Sequence, residues 1–227
     1  PLIQSGYKAF CPTLTDLYND LKAQRQERAH EIALALELFA TGSMNMFAHP
    51  TNVDMSNRLI CFNIQSLGDQ LKPVAMLSML EYINTCVMSN ERNDPAAATW
   101  VYFDEIYLLL RDQLSAQFLY TSWKRFRKYN AYATGITQNV QDCLTNDTAY
   151  AMLANSEFVC MLRQTKDIDS VVELYGLSDP QKNYLKLAKP GQGILKMGNN
   201  LIPFVNDHPT NTKIYRLLTT KPGEMEN

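Results

Sequence analysis

The stretch from Thr99 to Leu110, TWVYFDEIYLLL, limits what this chain can fold into more than any other. Four consecutive apolar residues, Trp100, Val101, Tyr102 and Phe103, run straight into two adjacent acids, Asp104 and Glu105, and a second apolar run follows. Apolar residues at consecutive positions predict a strand buried on both faces, central in a mostly parallel sheet covered by helices. Ligands of such sheets sit beyond the carboxyl ends of the strands, which is where this strand delivers its acids. An aspartate there can hold Mg2+ through water, and a neighbouring glutamate can polarise an attacking water. Asp104 can equally cap the helix that follows, because carboxylates favour helix N-termini. The stretch by itself admits both readings.

At 227 residues the chain is long enough for one sizeable α/β domain, or for a domain with a small appendage. Its net charge of -2 gives no global attraction to nucleic acid or acidic lipid, so any such contact has to come from a local patch. The five cysteines, Cys11, Cys61, Cys86, Cys143 and Cys160, include no CxxC pair and fit neither a zinc site nor a disulfide framework, which predicts reduced thiols in a cytosolic setting. Cys61 and Cys160 fall inside apolar strand candidates and are expected to be buried. His30, His49 and His208 have no metal-binding spacing. No run approaches the roughly 18 apolar residues of a membrane span, and the N-terminus lacks a signal-peptide layout.

Along the chain, 1–12 shows no period, and a helix begins at Thr13, which with Asp16 forms a variant capping box. Leu14, Leu17, Tyr18 and Leu21 then share one face. The charged segment 22–31 reads as solvated, and Ile32 to Ala40 as a helix stopped by Thr41 and Gly42. The segment 43–57 reads as a loop, Arg58 to Ile64 as a strand, and Leu71 to Val87 as the crossover helix into the Asp104 strand, broken by 90–95. The basic, aromatic segment Trp123 to Tyr129 (WKRFRKY) either grips phosphates and stacks bases, as single-strand binders do, or is an amphipathic helix end with its aromatics in the core.

Ala131 to Thr137 is the next strand, ending in Thr137, Gln138 and Asn139. If it neighbours the Asp104 strand, Gln138 can reach a γ-phosphate or its attacking water; otherwise it is only a helix N-cap region. Glu157 to Leu162 is a further strand. Helices are predicted over 167–175 and 178–187, the second capped by Ser178 with Pro180 in its first turn. Gly191 to Met197 and Leu201 to Val205, separated by Gly198, Asn199 and Asn200, predict a β-hairpin. The GQG at Gly191 to Gly193 leads into a strand, not from strand to helix, and is discounted as a phosphate loop. Thr212 to Thr219 is a candidate last strand, and 221–227 a frayed tail. Nowhere is GxxxxGK followed by Ser or Thr, the Walker A loop that cradles phosphates.

The apolar strand ending in DE, the segment RKYNAYATGITQN, then ANSEFVCMLRQTKD, LSDPQKNYL, GQGILKMGNNLIPF and YRLLTTKPGE together resemble the conjugation ATPases of type IV secretion systems, VirB/TraC type, from about Leu14 to Glu224. The resemblance implies a RecA-like P-loop NTPase core: α/β, with a mostly parallel central sheet flanked by helices, a small helical insertion and a C-terminal β-hairpin. It divides the chain into 1–57, an N-terminal linker and helical insertion, and 58–227, the ATPase core without its phosphate loop. It implies ATP and Mg2+ as ligands and ATP hydrolysis that energises pilus assembly and DNA or protein transfer. Its members work as hexamers at the cytoplasmic face of the membrane, as peripheral proteins alongside other secretion components.

By the same resemblance Asp104 is the Walker B, Mg2+-site aspartate acting through water. Glu105 is the catalytic base, Gln138 the sensor glutamine, and Arg127 the arginine offered to the adjacent subunit's nucleotide, with Arg125 and Arg163 as competitors. Since family members carry the phosphate loop upstream, the chain is expected to be the later part of a longer protein, inactive and without tight ATP binding alone. The alternative is a non-catalytic scaffold that binds DNA or protein through its helical layer or basic segment.

Overall fold

Local caps set the helix boundaries. In the computed structural model, which describes residues 12–50, 57–138, 140–144 and 146–219, the Thr13 hydroxyl accepts from the Asp16 N–H while the Asp16 carboxylate accepts from the Thr13 N–H at 2.8 Å. That backbone bond, joined by one from the Thr13 hydroxyl, holds the Asp16 carboxyl below its usual pKa. The box starts α1 (Leu14–Ala23), and α2 (Glu27–Ala40) ends at Thr41 as expected. The predicted opening segment, Cys11, most of the 43–57 loop's second half, Asn139 and the tail fall wholly or largely outside the described residues.

The chain divides into two units, Pro1–Ile83 and Asn84–Asn227. In the first, α1 and α2 pack around Tyr18, Ala33 and Ala40, with Leu14, Leu21 and Leu36 against them. Helix α3 (Lys72–Asn93) runs further than the pattern predicts, ending just before Asp94. Pro95 disfavours helical backbone at the residue before it, which accounts for that stop. The expected strand at Arg58 to Ile64 does not form, and Leu59 is exposed. A β-rich run becomes a strand only where a second strand completes its hydrogen-bond ladder, and this one pairs with none among the described residues.

The second unit contains β1 (Thr99–Phe103), the four-residue α4 (Tyr107–Leu110), α5 (Gln113–Phe126) and β2 (Ala131–Gly135). Next come α6 (Val140–Leu144), α7 (Asp147–Ala154), β3 (Phe158–Met161), α8 (Ile168–Tyr175) and α9 (Asp179–Leu187). The hairpin β4 (Gln192–Met197) and β5 (Asn200–Val205) and the helix α10 (Lys213–Leu218) complete the order. β1 and β2 pair in parallel, in the register Thr99↔Ala131 to Phe103↔Gly135. α5 packs on β2 and buries Ala116, Leu119 and Phe126.

The mostly parallel central sheet is therefore corrected: the described residues form a two-stranded parallel sheet and a separate three-stranded antiparallel one, β3-β4-β5. The predicted hairpin supplies β3 with an antiparallel partner, whereas every additional parallel neighbour of β1 would need its own long crossover. β1 is not buried on both faces. Val101 and Phe103 are buried, whereas Trp100 and Tyr102 are 60% and 65% exposed. Trp100 stacks instead on its register partner Tyr132, with ring centroids 4.6 Å apart. Aromatic rings are large enough to shield one another on a solvated face, so an unbroken apolar run did not require two covered faces. Cys61 and Cys160, expected inside, are both exposed.

Thr212 to Thr219 is helical, not extended: the Thr212 hydroxyl accepts from the Tyr215 N–H at 3.2 Å and caps α10. A threonine cap bond fixes the first turn locally, while a strand there would need a ladder partner. Ser178 caps α9 as predicted, and Gln181 completes a capping box with it around Pro180.

Around the antiparallel sheet, Met161, Ile168, Val171, Leu177, Leu185 and Ile194 form a buried cluster. The glycines of GQG answer to backbone geometry here. Gly191 has φ 81, and a Cβ on Gly193 would lie 2.4 Å from the Met161 carbonyl oxygen across the β3–β4 pair. Because that obstacle is backbone, Gly193→Ala is expected to destabilise by about 1–3 kcal/mol. In a chain of this size that lowers the melting midpoint by roughly 2–4 °C per kcal/mol, readable by thermal unfolding. An unchanged midpoint would contradict the close approach.

Candidate active site

Parallel pairing of β1 with β2 brings two strand ends to one edge, and the backbone beyond them stays locked. The Ile136 N–H donates to the Phe103 carbonyl at 2.8 Å, and the Ile106 N–H donates to the Ile136 carbonyl at 2.9 Å. These two bonds bracket Asp104 and Glu105 into a tight turn. Glu105 takes φ 49, a left-handed conformation that costs a residue with a side chain about 1–3 kcal/mol. Its N–H donates to Asp104 Oδ1 at 3.1 Å. Gly135 lies under this turn: a Cβ there would sit 2.7 Å from Ile106 Cδ1, and Ile106 is buried. A glycine inside a strand pattern signals such a close approach, and Gly135 is the site-forming residue that the sequence reading passed over.

The N-cap of α4 is Ile106, with no side-chain cap bond, and that of α5 is Asp112, whose carboxylate accepts from the Ser115 N–H. Asp104 therefore caps neither helix and stands exposed at the strand end. Glu105 turns toward β2, where Gln138 Nε2 donates to its Oε1 at 2.6 Å. Its second oxygen, Oε2, is buried and has no hydrogen-bond partner among the described residues. The structure thus brings Asp104, Glu105 and Gln138 together at one strand edge, Glu105 and Gln138 in direct contact.

Arg127 lies elsewhere. It sits in a 3-10 turn, Arg127–Tyr129, that precedes β2, so the whole five-residue strand, about 16 Å at roughly 3.3 Å per residue, separates it from the strand end that leads to Gln138. Asn130 closes this turn in the left-handed region, at φ 47, and its side-chain amide donates to the carbonyls of Pro95 and Ala96. In the surrounding basic segment Phe126 is buried and Trp123 and Tyr129 are half-buried, as the amphipathic-helix reading requires. Lys124 lies 4.0 Å from the centre of the Tyr120 ring. Lys124, Arg125, Arg127 and Lys128 are exposed, as is Arg163 just beyond β3.

No group of three or more His, Cys, Asp or Glu side chains arranged for a metal exists among the described residues. Mg2+ held with a nucleotide does not need one, because one or two carboxylates plus the substrate's phosphates and water complete its shell. Asp104, exposed at the strand end, is a carboxylate of that kind. The phosphate-cradling half has no counterpart in the sequence. No helix among the described residues is long and apolar enough to cross a membrane.

The family of the TraG P-loop domain matches residues 20–217. Among solved structures, VirB4 of Thermoanaerobacter pseudethanolicus is similar, at 27% sequence identity and a TM-score of 0.73. The likeness covers 88% of this chain and 56% of that one, so the chain spans about half the length of the protein it matches. No curated protein matches the chain.

Proposed function

This chain belongs to the TraG P-loop domain family, a family of type IV secretion ATPases, and on that premise we propose that it is the carboxylate-bearing part of a RecA-like ATP-hydrolysing motor. In this reading 58–227 belongs to the catalytic core, and 1–57 is a linker with a helical insertion. The working protein is a hexamer at the cytoplasmic face of the membrane, engaged with other secretion components and driving pilus assembly and the transfer of DNA or protein. The observation that carries the chemistry is the paired presentation of Asp104 and Glu105 at the end of β1, with neither acid used as a helix cap.

Asp104 would hold Mg2+ through water, and Gln138 belongs to the same site. Bound Mg2+ neutralises charge on the β- and γ-phosphates. Glu105 Oε2 takes the proton of the attacking water, for which an acceptor with no competing partner is suited. Oε1, already engaged by Gln138, keeps the carboxylate from turning away. Arg127 reaches the nucleotide of an adjacent subunit, which suits its position at the far end of β2.

The test is Mg2+-dependent ATP hydrolysis by this chain and by a longer protein that includes a phosphate loop. Turnover in the longer protein alone is the expected result. Inactivity of both, with no nucleotide binding, would move the reading to a scaffold that binds DNA or protein. The exposed cations of the segment Lys124 to Lys128 favour that second reading's DNA contact. Under it, Lys124→Glu with Arg125→Glu should abolish binding of single-stranded DNA while Glu105→Gln leaves it intact, as measured by fluorescence anisotropy at fixed salt.

A further inference from the structure

The Glu105–Gln138 contact carries more than co-location. Three features converge on one carboxylate: a backbone held at φ 49 by two bracketing bonds, Oε1 taken by the Gln138 amide at 2.6 Å, and a buried Oε2 with no hydrogen-bond partner among the described residues. A carboxylate that merely filled space at a strand end would have its oxygens in water, as Asp104 does, and would have no reason to occupy a strained backbone conformation.

The geometry points to Gln138 as a positioning residue that acts through Glu105: its amide fixes Oε1 and so the orientation of the carboxylate, leaving Oε2 as the oxygen free to accept the water's proton, and it does not itself bind the nucleotide's phosphate. The two oxygens of one carboxylate thereby take different tasks, orientation and proton acceptance. This rests on the reading of Glu105 as general base and assigns Gln138 a role different from the phosphate sensor that the resemblance implies. At 2.6 Å from Oε1, Gln138 Nε2 commits one of its two N–H donors to the carboxylate. That bond ties the amide to the base, and the contact as it stands suits orientation of Glu105.

Two measurements test this. In a protein that carries a phosphate loop with this chain, Gln138→Ala is expected to lower kcat about 10- to 100-fold, the scale of losing an oriented reacting group. The KM for ATP and the affinity for a non-hydrolysable ATP analogue should stay the same. On a Glu105→Gln background, Gln138→Ala should cause no further loss of residual turnover. A tenfold or greater fall in analogue affinity, or multiplicative losses in the double variant, would overturn the positioning role while leaving Glu105 as base.

Retained turnover in Glu105→Gln would overturn the base reading and the positioning with it. The second measurement needs no nucleotide. In this chain, the Gln138 side-chain amide resonances, assigned by their loss in Gln138→Ala, should move on Glu105→Ala while other glutamine amides stay in place. Unmoved Gln138 amide resonances would show that the contact does not exist in solution.

Discussion

Replacing Glu105 by glutamine, in a protein that supplies the phosphate loop, is expected to cut ATP turnover by about 10²–10⁴-fold while leaving nucleotide binding unchanged. The substitution is nearly isosteric, so the turn bracketed by Ile106 and Ile136 and the backbone at φ 49 should persist. What disappears is the acceptor: an amide in place of the carboxylate cannot take the water's proton at Oε2. Asp104 is untouched, so Mg2+ and nucleotide should still be held. The check is steady-state hydrolysis beside equilibrium binding of a fluorescent ATP analogue. Undiminished hydrolysis would remove Glu105 from the role of base and leave the strained turn without a chemical purpose.

Removal of Arg127 is expected to cost still more, about 10³–10⁵-fold in turnover, provided that the subunits are assembled. Arg127 is separated by the length of β2 from the edge that carries Glu105 and Gln138, too far to serve its own subunit's strand end, yet it is exposed on a turn pinned by Asn130. On the proposed reading, a cation placed so would act on a site presented by another subunit. Mixing tests this directly: Arg127→Ala subunits keep an intact base, Glu105→Gln subunits keep an intact arginine, and mixed rings should regain part of the activity that either lacks alone. Full activity in assembled Arg127→Ala would transfer the role to Arg125 or Arg163. No recovery on mixing would mean that Arg127 does not act across a boundary.

The pair of acids is visible in the sequence, but the sequence left its use open between metal chemistry and helix capping. The cap bonds decide against capping: Asp112 caps α5, and α4 begins at Ile106 without a side-chain cap. A carboxylate one turn ahead of an apolar helix looks the same in either case, because capping depends on which N–H groups the folded backbone aims at it. The buried Oε2, the left-handed Glu105 and the Gly135–Ile106 approach had no sequence signal beyond a glycine within a strand.

The sequence by itself determined what short-range physics controls. The Thr13–Asp16 and Ser178–Gln181 boxes started their helices where the letters placed them, and the Gly198 turn made its hairpin, because each depends on groups three or four residues apart. It also determined that β1 would end in two acids and that a strand ending near Gln138 would follow. Only the tertiary structure decided how the strands pair. It gave β3 to the antiparallel hairpin, left Arg58 to Ile64 unpaired, and stood Trp100 against Tyr132 on an exposed face. It also set the one-register match of Phe103 with Gly135 that brings Glu105 to Gln138, 33 residues away. Those outcomes differ because a strand's hydrogen bonds are made with distant chain, so its residues fix that it can pair while the partner fixes where and in which direction.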